Sequence, residues 1–185
     1  ASEIRSELEI LYPFKGHSDT EVILAAIVEY GLEQALPKFN GMFAGGLWDK
    51  ELRELSLFRD QLGKKPLFYA FTHHHLIFAS ELKSLRKGPQ FSPAICQDAL
   101  TSYMQFGYVP EPYCIYEDCF KLRPGHVLTF CMTSFTVKTI NSWWDPHRLY
   151  RQNNLDLDYQ DVLNHTDKLL QDSINLRLQA DVPLG

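Results

Sequence analysis

Three groups of side chains in this sequence have the types that chemistry uses. The first is Ser18-Asp19-Thr20-Glu21, two hydroxyls and two carboxylates ahead of an apolar, helix-spaced run. An acid at a helix start could bind a ligand cation, and the helix dipole favours a carboxylate there with or without a ligand. Ser18 and Glu21 also fit the S-x-x-E capping box, in which the serine caps the helix and the glutamate bonds back. The second group is His73-His74-His75, which suggests a metal. Neighbouring strand residues point to opposite faces, so at most two of the three could share one ion, and an exposed hairpin turn is the preferred reading. The third is the cysteines Cys96, Cys114, Cys119 and Cys131. None has histidine partners at zinc-finger spacing, so all four read as small apolar or surface residues and no metal site is assigned. The sequence carries no Walker-type phosphate loop, no Cys-x-x-Cys pair and no G-x-S-x-G elbow. The residues by themselves therefore nominate no catalytic nucleophile.

The elements that must position these groups follow from periodicity. A helix is expected over 20–30, with Val22, Ile23, Ala26, Ile27 and Tyr30 on one buried stripe. A further helical turn or two over 32–38 breaks near Pro37. The run 41–49 is short and apolar enough to be a strand buried on both faces. Runs 55–58, 67–71 and 76–79 read as strands separated by turns, and such close spacing predicts antiparallel neighbours. A short helix is expected over 81–86. Another runs from Pro93 to Phe106, with Ile95, Leu100, Tyr103 and Met104 on its apolar side and Gly107 as its stop. Strands 127–132 and 135–140 pair across a turn. Residues 146–157 read as a linker, and 159–178 form the strongest amphipathic helix, one apolar face lasting about five turns.

Composition narrows the function classes. The chain has 185 residues, 45% apolar and 22% charged, which excludes a wholly disordered polypeptide. A net charge of −5 argues against an extended nucleic-acid-binding surface. The aromatic share is read as packing between layers rather than a base-stacking platform. No apolar run reaches the ~18–20 residues needed to cross a bilayer, and no signal peptide is visible. A cytoplasmic, membrane-free setting is the expectation. The chain starts at Ala1 within a helical pattern and stops after a long helix. An internal piece of a longer polypeptide is therefore expected.

Several strings then occur in a recognisable order. They are His17-Ser18-Asp19-Thr20-Glu21-Val22-Ile23-Leu24, Phe39-Asn40-Gly41-Met42-Phe43-Ala44, Leu47-Trp48-Asp49 and Arg59-Asp60-Gln61-Leu62-Gly63-Lys64-Lys65-Pro66-Leu67-Phe68-Tyr69. Phe78-Ala79-Ser80-Glu81-Leu82-Lys83-Ser84-Leu85, Phe106-Gly107-Tyr108-Val109-Pro110, Leu122-Arg123-Pro124-Gly125-His126 and Leu176-Arg177-Leu178-Gln179-Ala180-Asp181-Val182-Pro183-Leu184-Gly185 continue the series. Together they resemble the glutamine-hydrolysing asparagine synthetases, over almost the whole chain.

The resemblance implies an α+β fold. It would be a four-layer αββα sandwich of the N-terminal-nucleophile, class II amidotransferase type, incomplete here, followed by the first helix of an α/β synthetase domain. Its domains would be a glutaminase at 1–145, a linker at 146–157 and the start of an ATP-dependent synthetase at 158–185. The implied enzyme is a carbon–nitrogen ligase of asparagine biosynthesis. An N-terminal cysteine hydrolyses glutamine through a thioester, and the ammonia attacks β-aspartyl-AMP made from aspartate and MgATP. That cysteine would precede Ala1, and ATP and Mg would be bound by the missing synthetase part, so the chain alone would be inactive and bind no cofactor. Asp19 matches the acid that pairs with the α-ammonium of glutamine. Met42 and Lys64 match the ammonia-tunnel region. Lys64 stands where relatives often carry an apolar residue, so it either turns outward or alters the tunnel. Gly45-Gly46 replaces bulkier residues, which leaves room or flexibility. Partners would be glutamine, aspartate and ATP, with no nucleic acid or membrane. The oligomeric state stays open, a homodimer among the options. Two alternatives keep the sequence pattern: a related amidotransferase acting on another carboxylate (surface-polysaccharide or β-lactam type), and a non-catalytic glutaminase-like interaction module.

Overall fold

The computed structural model describes residues 2–72, 74–152, 158–176 and 178. Helix α1 (Ser2–Leu8) is followed by α2 (Asp19–Tyr30). Val22, Ala25 and Ala26 of α2 are buried, and Ile23, Ile27 and Tyr30 pack partly buried against the same cluster, along the stripe that the spacing predicts. The helix stops at Gly31, whose φ of +77° a side chain would resist and whose N–H bonds the Ile27 carbonyl at 2.9 Å. A single turn, α3 (Leu32–Ala35), continues into a 3-10 turn at Leu36–Lys38 that contains Pro37.

The strands are β1 (Ala44–Asp49), β2 (Glu54–Arg59), β3 (Phe68–Phe71), β4 (Leu76–Ala79), β5 (Cys119–Lys121), β6 (His126–Cys131) and β7 (Thr136–Ser142). They form two antiparallel sheets, one in the order β1-β2-β6-β7 and one in the order β4-β3-β5. The expected pairs β3–β4 and β6–β7 are present, and β1 pairs with β2 as well. Strands β2 and β3 do not pair: the chain leaves the first sheet at Arg59 and enters the second at Phe68. The turn Asp60-Gln61-Leu62-Gly63 is thus a crossover between sheets, not a hairpin.

Side-chain alternation along β2 sends Phe58 and Leu57 to opposite faces. Phe58 belongs to a buried cluster with Ile4, Leu8, Val22, Ala26 and Leu36, which seats the helices on one face of the first sheet. Leu57, Leu128 and Phe130 join Leu67, Tyr69 and Leu122 in a second cluster between the two sheets. A third cluster joins Ala70 and Cys119 of the second sheet to Leu85 of α4 (Leu82–Leu85) and to Cys114. The result is an α+β body in which two antiparallel sheets share one core and each meets helical structure on its other side.

Some expectations need correction. Strand β1 starts at Ala44 rather than Gly41, and it is half-exposed rather than buried on both faces because it stands at one end of its sheet. Its glycines provide room. A Cβ on Gly45 would lie 2.8 Å from the Phe58 ring, and one on Gly46 would lie 3.1 Å from the Phe78 ring. Helix α5 (Gln97–Phe106) is shorter than expected and buries Ala99, while Leu100, Tyr103 and Met104 are exposed. Ile95 precedes the helix and forms an isolated bridge with Tyr116. The stop at Gly107, φ +76°, is as predicted.

The chain divides into two compact units, Ala1–Asp145 and Pro146–Gly185. Within the second, α6 (Pro146–Gln152) is helical where composition suggests a linker. Proline suits a first helical position, where its missing N–H costs nothing. Residues 153–157 lie outside the described residues. Helix α7 (Tyr159–Asn175) is capped by Asp158, whose Oδ1 accepts from the Asp161 N–H at 2.9 Å. It ends earlier than the predicted 178, and none of its residues is buried. Residues 177 and 179–185, within the segment expected to start a synthetase domain, lie outside the described residues. Among the described residues no helix is long and apolar enough to cross a membrane.

Candidate functional site

Asp19 is the first residue of α2, and the loop before it is tied down from both sides. Ser18 caps the helix by accepting from the Thr20 N–H at 3.2 Å. Glu21 bonds back, although past the position a capping box would use. Its Oε1 accepts from Lys15 N–H at 2.9 Å and its Oε2 from Gly16 N–H at 3.0 Å. Those two amides hold the Glu21 carboxyl below its ordinary range, with the charges of Arg5 and Lys15 acting in the same direction. Arg5 also donates to the Ser18 carbonyl at 3.4 Å and lies over the Phe14 ring. Loop 15–18 therefore presents Asp19 in one place, at the positive end of a three-turn helix.

Asp19 opens onto a cavity of about 130 Å³ whose far wall is residues 39–43. Met42, 23 positions later in sequence, lines the same cavity, with Asn40, Gly41, Phe39 and Phe43 beside it. Ile4, Val22 and Ile23 complete an apolar floor. Among the described residues no Lys or Arg lines it, so the acid faces a largely apolar set of neighbours. That combination suits a compact ligand carrying an amine, which could form a charge-assisted hydrogen bond to the exposed carboxylate.

The 39–43 wall is held by aromatic packing. The Phe43 ring meets Phe39 edge-on at 5.6 Å and stacks on Trp143 at 6.1 Å and 20°. It is held by backbone as well: Phe43 N–H donates to Asp60 Oδ2 at 3.3 Å, and Asp60 N–H donates to the Phe43 carbonyl at 2.8 Å.

The structure thus brings Asp19 and Met42 to one cavity and leaves Lys64 outside its lining. The Lys64 side chain is exposed, and its backbone N–H donates to Asp60 Oδ1 at 2.9 Å. Asn40 is a polar lining residue that sequence reasoning passed over. Its only signal was an amide within the apolar string it shares with Met42. His73 lies outside the described residues. His75 sits in the β3–β4 turn, bonded through backbone and side chain to Thr72. Among the described residues no three His, Cys, Asp or Glu side chains converge to hold a metal ion. Cys114 and Cys119, read separately in the sequence, are buried together. The hydrogen bond from Cys119 pulls the Cys114 thiol down to about 7 against the opposing effect of burial, and it pushes Cys119 up.

With this geometry in hand, comparison with known proteins identifies the class. Residues 1–144 match the family described as "Glutamine amidotransferase domain", and the chain belongs to that family. Within it, the similarity runs to asparagine synthetases. The chain is 36% identical over 99% of its length to "Asparagine synthetase [glutamine-hydrolyzing] 1" of Bacillus subtilis strain 168. It is 35% identical over 93% of its length to "Asparagine synthetase [glutamine-hydrolyzing] 2" of the same organism. It is also 29% identical over 98% of its length to "Amidase chry2" of Gibberella zeae. The chain spans 28%, 24% and 26% of the length of these three relatives.

Proposed function

We propose that this chain forms the amine-recognition side of a glutamine-hydrolysing domain in an asparagine synthetase. The carrying observation is the meeting of Asp19 and Met42, from separate segments, at one small, largely apolar cavity. In this reading Asp19, at the positive end of α2, accepts hydrogen bonds from the α-ammonium of glutamine. The wall of residues 39–43 around Met42 carries no titratable side chain that could protonate the ammonia released. The two sheets and their flanking helices are read as part of an N-terminal-nucleophile sandwich. The nucleophilic cysteine, the group that grips the α-carboxylate, and the ATP and Mg sites are assigned to other parts of the full-length enzyme. There, ammonia would attack a β-aspartyl-AMP intermediate in the cytoplasm. Lys64 lies beside the route in this reading, with its charged head outward in water.

The relative named as an amidase favours a second reading, in which the same glutaminase serves a different acceptor. Both readings require glutamine recognition at Asp19. In the full-length protein, Asp19→Asn is expected to raise the KM for glutamine about 10- to 100-fold while kcat changes far less, as loss of a charge-assisted bond predicts. Steady-state glutaminase kinetics test this, and an unchanged KM would remove Asp19 from the site. Product analysis with aspartate as acceptor separates the two readings.

A further inference from the structure

Arg59 and Asp60 are charged neighbours that are each only 2% exposed, and the proposed function does not use them. Together they grip the crossover between the sheets from both sides of its backbone. Asp60 collects amides: Oδ1 accepts from Leu62 at 3.2 Å and Lys64 at 2.9 Å, and Oδ2 accepts from Lys65 at 3.0 Å. Arg59 donates to carbonyls: Nε to Lys65 at 2.8 Å and Nη2 to Gly63 at 2.6 Å. Its Nη1 reaches Glu111 at 2.9 Å and the Leu122 carbonyl. Asp60 Oδ2 is also the acceptor for Phe43 N–H, at 3.3 Å. One carboxylate oxygen therefore serves both the wall of the Asp19 cavity and the crossover. The Phe43 bond is the longest of the four amide bonds on this carboxylate, the others lying at 2.9–3.2 Å. A second tie runs alongside, from Gln61 Nε2 to the Phe39 carbonyl at 3.4 Å.

We propose that Asp60 is a positioning residue that sets the 39–43 wall of the ligand cavity and links its position to the crossover turn bearing Lys64. The proposal rests on reading the cavity as a glutamine site. Asp60→Asn keeps the shape, but in either amide orientation it leaves two of the four N–H donors facing an NH₂ group. In the full-length protein, its KM for glutamine is expected to rise about tenfold at a temperature well below unfolding, with kcat changed less than about threefold. A lowered Tm with unchanged KM would reduce Asp60 to a structural role and overturn the proposal. Asp19→Asn serves as the control. If it raises KM and Asp60→Asn does not, the glutamine site stands and the proposal falls. If neither changes KM, the reading of the cavity fails as well.

Should Asp60→Asn not fold, hydrogen exchange on the wild-type protein decides. Saturating L-glutamate, which offers the same α-ammonium and α-carboxylate as glutamine, is expected to slow exchange at Phe43 and, with it, at Leu62, Lys64 and Lys65. Slowing that stops at Phe43 would overturn the link.

Discussion

Glu21 shows how one side chain can set the position of another. Its two backbone bonds hold loop 15–18 against the start of α2, so it positions Asp19 without lining the cavity. Its folded-state pKa lies below the ordinary 4.5, so its stabilising contribution is complete above that value. The contribution is lost as pH falls through the depressed folded value, where the carboxyl protonates. Glu21→Gln should therefore lower Tm at pH 7, with the difference from wild type closing in acid. Thermal melts at pH 7 and in the acid range test the sign, and a difference that widens in acid would contradict it. Asp19 was legible as a candidate because an acid before a helical stripe is a local pattern, and its match to a known string strengthened it. Asp60 was not. Three of the amides on its carboxylate come from nearby Leu62, Lys64 and Lys65, but the fourth comes from Phe43, 17 positions away, and no local spacing announces that tie or the burial.

At the scale of elements, turn chemistry predicts that the chain bends but not which strand it meets next. Asp60-Gln61-Leu62-Gly63 has the composition of a hairpin turn, yet it carries the chain between sheets. What commits it is the buried grip of Arg59, which requires Gly63. The residue has φ +63°, and a Cβ would lie 2.7 Å from Pro124 Cγ and 2.8 Å from the Arg59 guanidinium carbon. Gly63→Ala combines a disfavoured backbone with two clashes, and a loss of about 2–4 kcal/mol is expected. Gly45→Ala has no positive φ to fight and meets only the Phe58 ring, so about 1–3 kcal/mol of overpacking is expected there. Urea unfolding of both variants tests the ranking, and Gly45→Ala proving the costlier would contradict it. The helical stripe of α2 was readable from spacing because it faces the core. The same spacing in α5 misled, because periodicity records an apolar face without saying whether anything packs on it.

Across the whole molecule, burial is concentrated where elements are flanked on both sides. Strands β2 and β6 have partners on each edge, and Leu57 and Leu128 within them are fully buried between the sheets. Amides there can exchange only through opening of that shared core. Helix α7 is the opposite case. Its Asp158 cap satisfies one N-terminal amide, worth about 0.5–2 kcal/mol, but none of its 17 residues is buried. Most helical stability in proteins comes from packing an apolar face, and Val162, Leu163, Leu169, Leu170 and Ile174 are all exposed. The sequence made α7 the strongest helix by pattern; burial makes it the least anchored of the long ones. Native-state hydrogen exchange on this chain should therefore find α7 amides exchanging at least about 100-fold faster than those of β6, the two spanning the range from local fraying to core opening. Equal protection would mean that the apolar stripe of α7 is covered in solution, and the packing description of this helix would then have to be replaced.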